Sequence, residues 1–211
     1  LFWRQHFTDI RLKYQIAAFE KSKTPDNWVI QGAARISSPY SVEVNGRTLT
    51  TRNIVIAAGA RPFVPPIPGI EETGYLTSDT VWDLRERPER LVVLGGGPIG
   101  SELTQAFARL GSRVTQVEMG PRILVREDPE ISEMVQKRFA AEGVELRLEH
   151  RAKEFLLEQG RKILVCEHQG EEVRIEFDQL LVAVGRAANT KGYGLEEKVL
   201  GSHGVELDIP A

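Results

Sequence analysis

The sequence predicts an α/β fold built on a parallel sheet, and three features of the chain indicate it. The apolar run Leu91 to Leu94 is followed by a glycine-rich turn, a helical pattern and a second alternating strand from Arg113 to Glu118. A further helix and strand pattern follows, and short apolar runs of this kind form buried parallel strands. Three alternating segments between residues 153 and 177 come next. We therefore predict a βαβαβ unit followed by a three-stranded β-meander.

The elements before this unit are predicted from local patterns. Residues 1 to about 23 have the apolar spacing of an amphipathic helix, and a small β-meander with an Asn45-Gly46 hairpin turn follows a strand beginning at Trp28. The run Asn53 to Gly59 is typical of a buried strand that ends in small residues. Four prolines between residues 62 and 68 then exclude a helix or a central strand. We expect a domain boundary there.

A glycine pattern lies between the first strand and first helix of the βαβαβ unit. Gly95, Gly97 and Gly100 have GxGxxG spacing, which permits a tight turn, close approach of a pyrophosphate and close packing of helix on strand. The unpaired amides at the start of a helix attract phosphate, and an acid about 20 residues further on accepts hydrogen bonds from a ribose. The alternative is a glycine-rich turn in an ordinary βαβ unit. The predicted dinucleotide-binding residues are Gly95, Gly96, Gly97, Pro98, Ile99, Gly100 and Glu118.

The remaining elements follow in order. Thr77 to Asp79 predicts the N-cap of a short helix reaching about Leu84, and Asp128-Pro129 predicts the start of a second long helix. Val144 to Leu148 is predicted to be the third parallel strand. Gln179 to Arg186 repeats the pattern of Asn53 to Arg61, so we expect the chain to leave one domain, build a second as an insertion and return. The apolar faces of the two long helices are predicted at Leu103, Ala106, Phe107 and Leu110, and at Ile131, Val135, Phe139 and Ala140.

Composition excludes several classes of function. The net charge of −3 gives no electrostatic basis for binding nucleic acid or an anionic membrane. Cys166 is the only cysteine, so no internal disulfide or cysteine-pair metal site is expected, and we predict an inert half-buried thiol. The histidines show no ligand spacing, and no metal site is predicted. With no signal-peptide pattern and no apolar run of about 18–20 residues, we expect a cytoplasmic protein, and its ends suggest a piece of a longer polypeptide.

Three segments follow one another along the chain: TRNIVIAAGARP with VPPIPG, VVLGGGPIGSELTQAFARLGSRVTQVE, and DQLLVAVGRAANTKGYGLE. Together they resemble the pyridine nucleotide-disulfide oxidoreductases, the flavoprotein family of dihydrolipoamide dehydrogenase and mercuric reductase. The resemblance implies a partial FAD-binding domain at residues 1–68, a Rossmann-like NAD(P)-binding domain at 69–178 and a truncated return into the FAD-binding domain at 179–211. Ala57-Ala58 departs from the family's usual Ala-Thr.

The resemblance also implies a reaction, in which hydride passes from NAD(P)H to FAD and on through a cysteine pair to a disulfide or metal substrate. Glu102 matches the family's catalytic glutamate beside the flavin, Gly185 matches backbone lining the nicotinamide pocket, and Ala58 and Gly59 match backbone on the FAD side. The family's CxxxxC pair, its amino-terminal FAD fingerprint and its His-Glu pair do not occur in this sequence. The chain alone is therefore expected to be inactive and to bind FAD weakly, and only the full-length protein is expected to form a homodimer.

The choice between NAD and NADP depends on Glu118. Its carboxylate would repel a 2′-phosphate by roughly 3 kcal/mol per pair of unit charges at ~5 Å and an effective dielectric of ~20, so NAD is favoured. Arg122 and Arg126 follow soon after the strand that ends at Glu118 and can pair with a 2′-phosphate, so NADP remains the alternative. Two other functions also stay open: a flavoprotein without a redox disulfide, such as an NADH oxidase or ferredoxin reductase, and a non-catalytic NADH-binding module. The sequence upstream of this chain would discriminate them.

Overall fold

The computed structural model describes residues 30–195, and the chain divides into two compact units. Among the described residues, one unit consists of residues 30–61 and 188–195, and the other of residues 62–187. The helix predicted at residues 1–23 and the strand beginning at Trp28 lie outside the described residues. Within residues 30–195, no helix is both long enough and apolar enough to cross a membrane.

The first unit contains a three-stranded antiparallel sheet. Its strands are β1 (Ala34–Ser38), β2 (Ser41–Val44) and β3 (Arg47–Thr50), in that order across the sheet. The turn between β2 and β3 has φ values of 50° at Asn45 and 72° at Gly46. Both are left-handed, as the tight two-residue hairpin turn requires. The predicted β-meander and its Asn-Gly turn are therefore confirmed.

The buried strand predicted at Asn53 to Gly59 is wrong. The next strand, β4, begins only at Ala60 and ends at Pro62. Val55 is 90% exposed and Ile56 is 44% exposed. An apolar run becomes a buried strand only when neighbouring strands hydrogen-bond its backbone on both sides. No strand in the described part of the chain pairs with residues 53–59.

The second unit is built on a five-stranded parallel sheet. The elements after β4 are α1 (Ile70–Thr73), β5 (Leu76–Thr77), β6 (Arg90–Leu94), α2 (Pro98–Arg109), β7 (Arg113–Val117), α3 (Pro129–Ala141), β8 (Glu145–Arg147), β9 (Arg151–Glu158), β10 (Arg161–His168), β11 (Glu171–Phe177), β12 (Gln179–Val182) and β13 (Arg186–Ala188). The strands of the parallel sheet lie in the order β5-β12-β6-β7-β8, and every adjacent pair is parallel. The predicted βαβαβ unit is confirmed, because α2 connects β6 to β7 and α3 connects β7 to β8.

The strand order creates a switch point between β6 and β12. From β6 the chain proceeds outward through β7 and β8, whereas β12 pairs with the opposite edge of β6. In open parallel sheets, ligands bind outside the carboxyl ends of the strands at such a reversal. β12 lies within the range that the family resemblance assigns to the segment returning to the FAD-binding domain. In the structure β12 belongs to the parallel sheet of the second unit.

The two faces of the parallel sheet have different coverings. The β-meander of β9, β10 and β11 is confirmed, and its Phe155, Leu164 and Phe177 pack with Leu94 and Val182 on one face. The other face packs against α2. Because successive side chains on a strand point to opposite faces, β6 and β12 contribute to both clusters. These two strands are therefore buried on both sides, as their continuous apolar sequences predict.

Several local predictions need correction. The short helix expected from Thr77 to Leu84 is a single 3₁₀ turn at Val81–Asp83. Ile131 of α3 and Leu110 after α2 are 44% and 66% exposed, although their spacing predicts burial. Ala106 and Ala140, predicted on the same buried faces, are exposed as well. Ser132 is buried instead of Ile131, because its hydroxyl donates a 2.6 Å hydrogen bond to the carbonyl of Ile123. On α2, the buried positions are Gly100, Ser101 and Thr104, which are small enough to let the helix approach the sheet.

Candidate functional site

The glycine-rich loop lies at the carboxyl ends of three strands. It follows β6, and the N–H of Gly95 donates a 2.8 Å hydrogen bond to the carbonyl of Val117 at the end of β7. On the opposite side, the N–H of Ala183, just after β12, donates to the carbonyl of Leu94 at 2.8 Å. The end of β6 is thus held by both neighbouring strands. The candidate site is the crevice at this edge of the sheet.

Each glycine of the loop meets a different steric environment. Gly95 has φ 110°, and a Cβ there would lie 2.5 Å from the carbonyl oxygen of Ala183. A Cβ at Gly100 would lie 2.3 Å from the carbonyl oxygen of Gly95. At Gly97, by contrast, a Cβ would meet no atom within 4 Å. The geometry therefore fits a tight turn at Gly95 and close packing at Gly100, and it leaves open space in front of Gly97.

The start of α2 presents unpaired donors to this space. Pro98 is the first helical residue and has no N–H, and the N–H of Ser101 donates to the carbonyl of Gly97 at 2.9 Å. The amides of Gly97, Ile99 and Gly100 have no hydrogen-bond acceptor within the described part of the chain. The helix dipole adds a partial positive charge at this end. These groups can bind an anion such as a diphosphate.

Glu118 lies immediately after β7, beside the loop. One carboxylate oxygen accepts a 2.6 Å hydrogen bond from the N–H of Gly96, and the other accepts a 2.7 Å hydrogen bond from the N–H of Gly120. The side chain is therefore fixed against the glycine loop. A carboxylate has about four acceptor positions. Glu118 can therefore accept hydrogen bonds from a ligand hydroxyl without losing its bonds to the loop.

Gly185 and Glu102 lie on two other elements of this unit. Gly185 lies three residues after the end of β12, and its carbonyl accepts a 3.0 Å hydrogen bond from the N–H of Phe63. Gly185 has φ 143°, and a Cβ there would meet open space. Glu102 is exposed on α2, one turn after Pro98. Its carboxylate forms no ion pair or hydrogen bond with any residue that the structure describes.

Ala58 and Gly59 belong to the first unit, where Asn189 fixes their backbone. The side-chain amide of Asn189 donates to the carbonyl of Ala58 at 3.1 Å, and its main-chain N–H donates to the carbonyl of Gly59 at 2.9 Å. Arg61 donates to the side-chain oxygen of Asn189 at 3.2 Å. Asn189 was not predicted from the sequence. The indication there was that Asn189 follows Gln179 to Arg186, the second of the two segments with similar strand patterns.

One more residue near the loop was not identified from sequence. Gln116 of β7 is fully buried, and its side-chain amide donates to the carbonyl of Gly95 at 3.0 Å. The indication in the sequence was a large polar residue at an inward position of a buried strand. Arg122, which the sequence offered as a possible partner of a 2′-phosphate, directs its guanidinium at its own loop and donates to the carbonyls of Val125 and Glu127 at 2.8 and 2.9 Å.

Cys166 lies in the interior of the second unit. It is fully buried, whereas a half-buried thiol was predicted, and burial raises the pKa of its thiol to about 11, although the charge of Arg147 acts in the opposite direction. The thiolate is therefore not populated near neutral pH. Within residues 30–195, no cluster of three or more histidine, cysteine, aspartate or glutamate side chains is arranged to hold a metal ion.

Fold and site together define a Rossmann-like α/β protein with a GxGxxG glycine loop at the switch point of its parallel sheet. The chain belongs to the pyridine nucleotide-disulphide oxidoreductase family, whose family model matches residues 18–208. The family resemblance stated from the sequence is thereby confirmed.

Known relatives agree with this membership. The chain is 41% identical over 169 residues to a mercuric reductase from Lysinibacillus sphaericus, covering 79% of this chain and 31% of the relative. It is 36% identical over 189 residues to a dihydrolipoyl dehydrogenase from Thermus scotoductus, covering 85% and 38%. Among solved structures, it resembles the HOCl-induced flavoprotein disulfide reductase RclA from Escherichia coli, with TM-score 0.68, 32% identity and coverage of 82% and 40%. The chain thus spans about a third of the length of the curated relatives it matches.

Proposed function

We propose that this chain supplies the pyridine-nucleotide site of an FAD-dependent oxidoreductase, which passes hydride from NAD(P)H to FAD and on to a disulfide or metal substrate. The observation that carries the proposal is the combination of open space at Gly97 with unpaired amides at the start of α2. The relatives support the reaction class, because they are named as mercuric reductases and flavoprotein disulfide reductases. FAD, when bound, supplies the electron-carrying chemistry.

Each residue of the site has a proposed role. The amides of Gly97, Ile99 and Gly100 bind the diphosphate, and Pro98 fixes the first turn of the helix. Gly95 and Gly96 form the turn, and Glu118 accepts hydrogen bonds from the adenosine ribose. The backbone at Gly185 lines the nicotinamide side, and Glu102 lies beside the flavin. Ala58 and Gly59 contribute backbone on the FAD side, where their exposed peptide groups leave room for a ligand.

The proposed domain organisation follows from these roles. Residues 69–178 form the NAD(P)-binding domain, and β12 completes its sheet. Residues 1–68 and the chain after β12 belong to the FAD-binding part. The whole protein is proposed to be a homodimer, as the family resemblance implies. We propose a cytoplasmic location because pyridine nucleotides are reductants of the cell interior.

NAD is the proposed nucleotide rather than NADP. Glu118 places a negative charge where a 2′-phosphate would lie, and unit charges ~5 Å apart repel by roughly 3 kcal/mol at an effective dielectric of ~20. Arg122 would have to break its hydrogen bonds to Val125 and Glu127 before it could compensate. The carboxylate of Glu118 can accept hydrogen bonds from a ribose diol, and the nearby Arg122 already donates to its own loop. Both features support NAD.

Titration of the purified chain with NADH and NADPH tests the proposal. We expect saturable binding of NADH, and NADPH affinity weaker by about tenfold or more, which corresponds to 1.4 kcal/mol or more. The measurement is the change in nicotinamide fluorescence at constant ionic strength. Absence of saturable binding of either nucleotide would refute the site, and tighter binding of NADPH would refute the preference for NAD.

A further inference from the structure

Gln116 is a large polar side chain enclosed by an apolar layer. It is 0% exposed and lies two residues after Val114 on the side of β7 that packs against α2. Its side-chain oxygen has no hydrogen-bond partner among the described residues. Its side-chain nitrogen donates to the carbonyl of Gly95 at 3.0 Å and lies 3.4 Å from the hydroxyl of Ser101. Packing alone does not explain this residue, since an apolar side chain would fill the space without an unpaired oxygen.

The bond from Gln116 completes a clamp on one peptide group. The carbonyl of Gly95 and the N–H of Gly96 belong to the same peptide plane. Gln116 holds the carbonyl, and Glu118 holds the N–H through a 2.6 Å hydrogen bond. The two side chains come from positions two residues apart on β7 and its extension, which lie on the same face of a strand. One strand end therefore fixes both ends of the peptide.

The neighbouring carbonyls are also directed inward. The carbonyl of Gly96 accepts a 2.7 Å hydrogen bond from the N–H of Leu124, and that of Gly97 accepts one from the N–H of Ser101 at 2.9 Å. The loop thereby presents donors, and not acceptors, to the open space in front of Gly97. If the Gly95–Gly96 peptide rotated, its carbonyl oxygen would no longer be held inside the protein. A carbonyl facing the crevice would repel a phosphate.

We propose that Gln116 is a positioning residue for nucleotide binding, which acts through Gly95 by holding the glycine loop in its phosphate-binding conformation. This inference rests on the proposed function. It differs from a purely structural role, because an apolar substitute should preserve packing and stability and should still weaken binding.

The test compares Gln116→Met with Gln105→Met in the full 211-residue chain. Methionine approximates the size of glutamine and lacks the donor. Gln105 lies on α2, and its side-chain amide donates to Glu142, away from the loop. We expect Gln116→Met to bind NADH about tenfold more weakly than wild type, with an unfolding midpoint that is not lowered, and Gln105→Met to bind like wild type. Equal NADH affinity of Gln116→Met and wild type would overturn the proposal.

Gln116→Glu provides a readout that a packing role would not change. A protonated carboxyl can donate to the carbonyl of Gly95, whereas an ionised carboxylate cannot. The ratio of variant to wild-type NAD⁺ affinity should therefore be highest at low pH and fall as pH rises. A ratio independent of pH between about 5.5 and 8.5 would contradict the proposal, since burial raises a carboxyl pKa into this range.

Amide exchange distinguishes failure of this inference from failure of the proposed function. The N–H of Gly96 is the other end of the clamp, so its hydrogen exchange, measured by NMR, should accelerate in Gln116→Met and not in Gln105→Met. If wild type bound no nucleotide, the proposed function would fall, and exchange at Gly96 would still decide whether the clamp exists. Unchanged exchange at Gly96 would disprove it.

Discussion

Gly97 and Gly100 lie three residues apart, and the structure places opposite demands on them. Gly97 has φ −73° and ψ 179°, which any residue adopts, and a Cβ there meets open space. Gly97→Ala should therefore leave the free energy of unfolding within about 0.5 kcal/mol of wild type. The added methyl group would occupy the proposed path of the diphosphate, so NADH affinity should fall about tenfold or more. Urea unfolding and NADH titration of the same sample measure both effects.

Gly100→Ala is the matched control, with the opposite expectation. Its Cβ would lie 2.3 Å from the carbonyl oxygen of Gly95, so the helix and the loop must separate. We expect a loss of about 1–3 kcal/mol in stability, typical of overpacking. If Gly97→Ala destabilised the chain as much as Gly100→Ala, or bound NADH normally, the assignment of the open space to a ligand would be wrong.

Cys166 should be chemically inert in the folded chain. It is fully buried, and burial raises the pKa of its thiol to about 11. Because the thiolate is the reactive form, iodoacetamide at pH 8 should not modify Cys166 in the native protein. In about 8 M urea, a concentration that unfolds most domains, it should modify Cys166 fully. Mass spectrometry of the intact chain measures the modification. Rapid native labelling would mean that the thiol is accessible and ionised.

At the scale of elements, Glu142 links the two long helices. It accepts hydrogen bonds from Arg109 and Gln105 of α2 and from Arg138 of its own helix, and its side chain is only 12% exposed. The hydrogen bond from Arg109 is the largest cause that lowers the pKa of Glu142 to about 2. A carboxyl with a lowered folded-state pKa stabilises the fold above its unfolded value, near 4.3, and loses this effect as pH falls through 2.

Glu142→Gln should therefore destabilise the chain at pH 7, and the difference from wild type should shrink between pH about 4.3 and 2. The urea midpoint of both proteins across this range measures the effect. Glu133→Gln is the control, because within residues 30–195 Glu133 pairs with the exposed Lys137 on its own helix α3 and forms no ion pair with another helix. Equal losses in the two variants, or a pH-independent loss at Glu142, would show that the link between the helices is not electrostatic.

Element boundaries were more predictable than element faces, for a physical reason. Gly111 and Gly143 follow the two long helices with φ values of 94° and 79°, and Pro98 and Pro129 begin them, so these signals are local. Which side of a helix is buried depends on the neighbour it meets. Ser132 replaces Ile131 in the interior only because the carbonyl of Ile123 is there to accept its hydrogen bond.

At the scale of the whole molecule, the α/β class and the positions of the glycine loop and Glu118 could be predicted because the nucleotide fingerprint is contiguous in sequence. Gln116 and Asn189 could not be predicted, and neither could the hydrogen bonds of Arg122 to its own loop, because these contacts depend on which backbone carbonyls a side chain reaches after folding. The run Asn53 to Gly59 failed for a related reason. Its apolar character was evident, but burial depends on strands that no described segment provides. Sequence patterns therefore indicate which segments can form a sheet, and tertiary contacts determine which of them do.

Every element around the proposed nucleotide crevice lies in residues 62–187. The loop after β6, Glu118 after β7 and the segment after β12 all belong to this compact unit. A fragment of residues 62–187 should therefore unfold cooperatively and bind NADH within about twofold of the full chain, a difference in binding free energy of less than about 0.5 kcal/mol.

A fragment of residues 69–178 lacks β12, whose backbone pairs with β6 along its whole length and whose Leu180 and Leu181 are fully buried. That shorter fragment should lose both properties, because the removed strand forms one wall of the crevice and part of both core clusters. Circular dichroism during urea unfolding and NADH titration of the two fragments measure the difference. Normal binding by the shorter fragment would show that β12 is dispensable and would place the nucleotide away from the switch point.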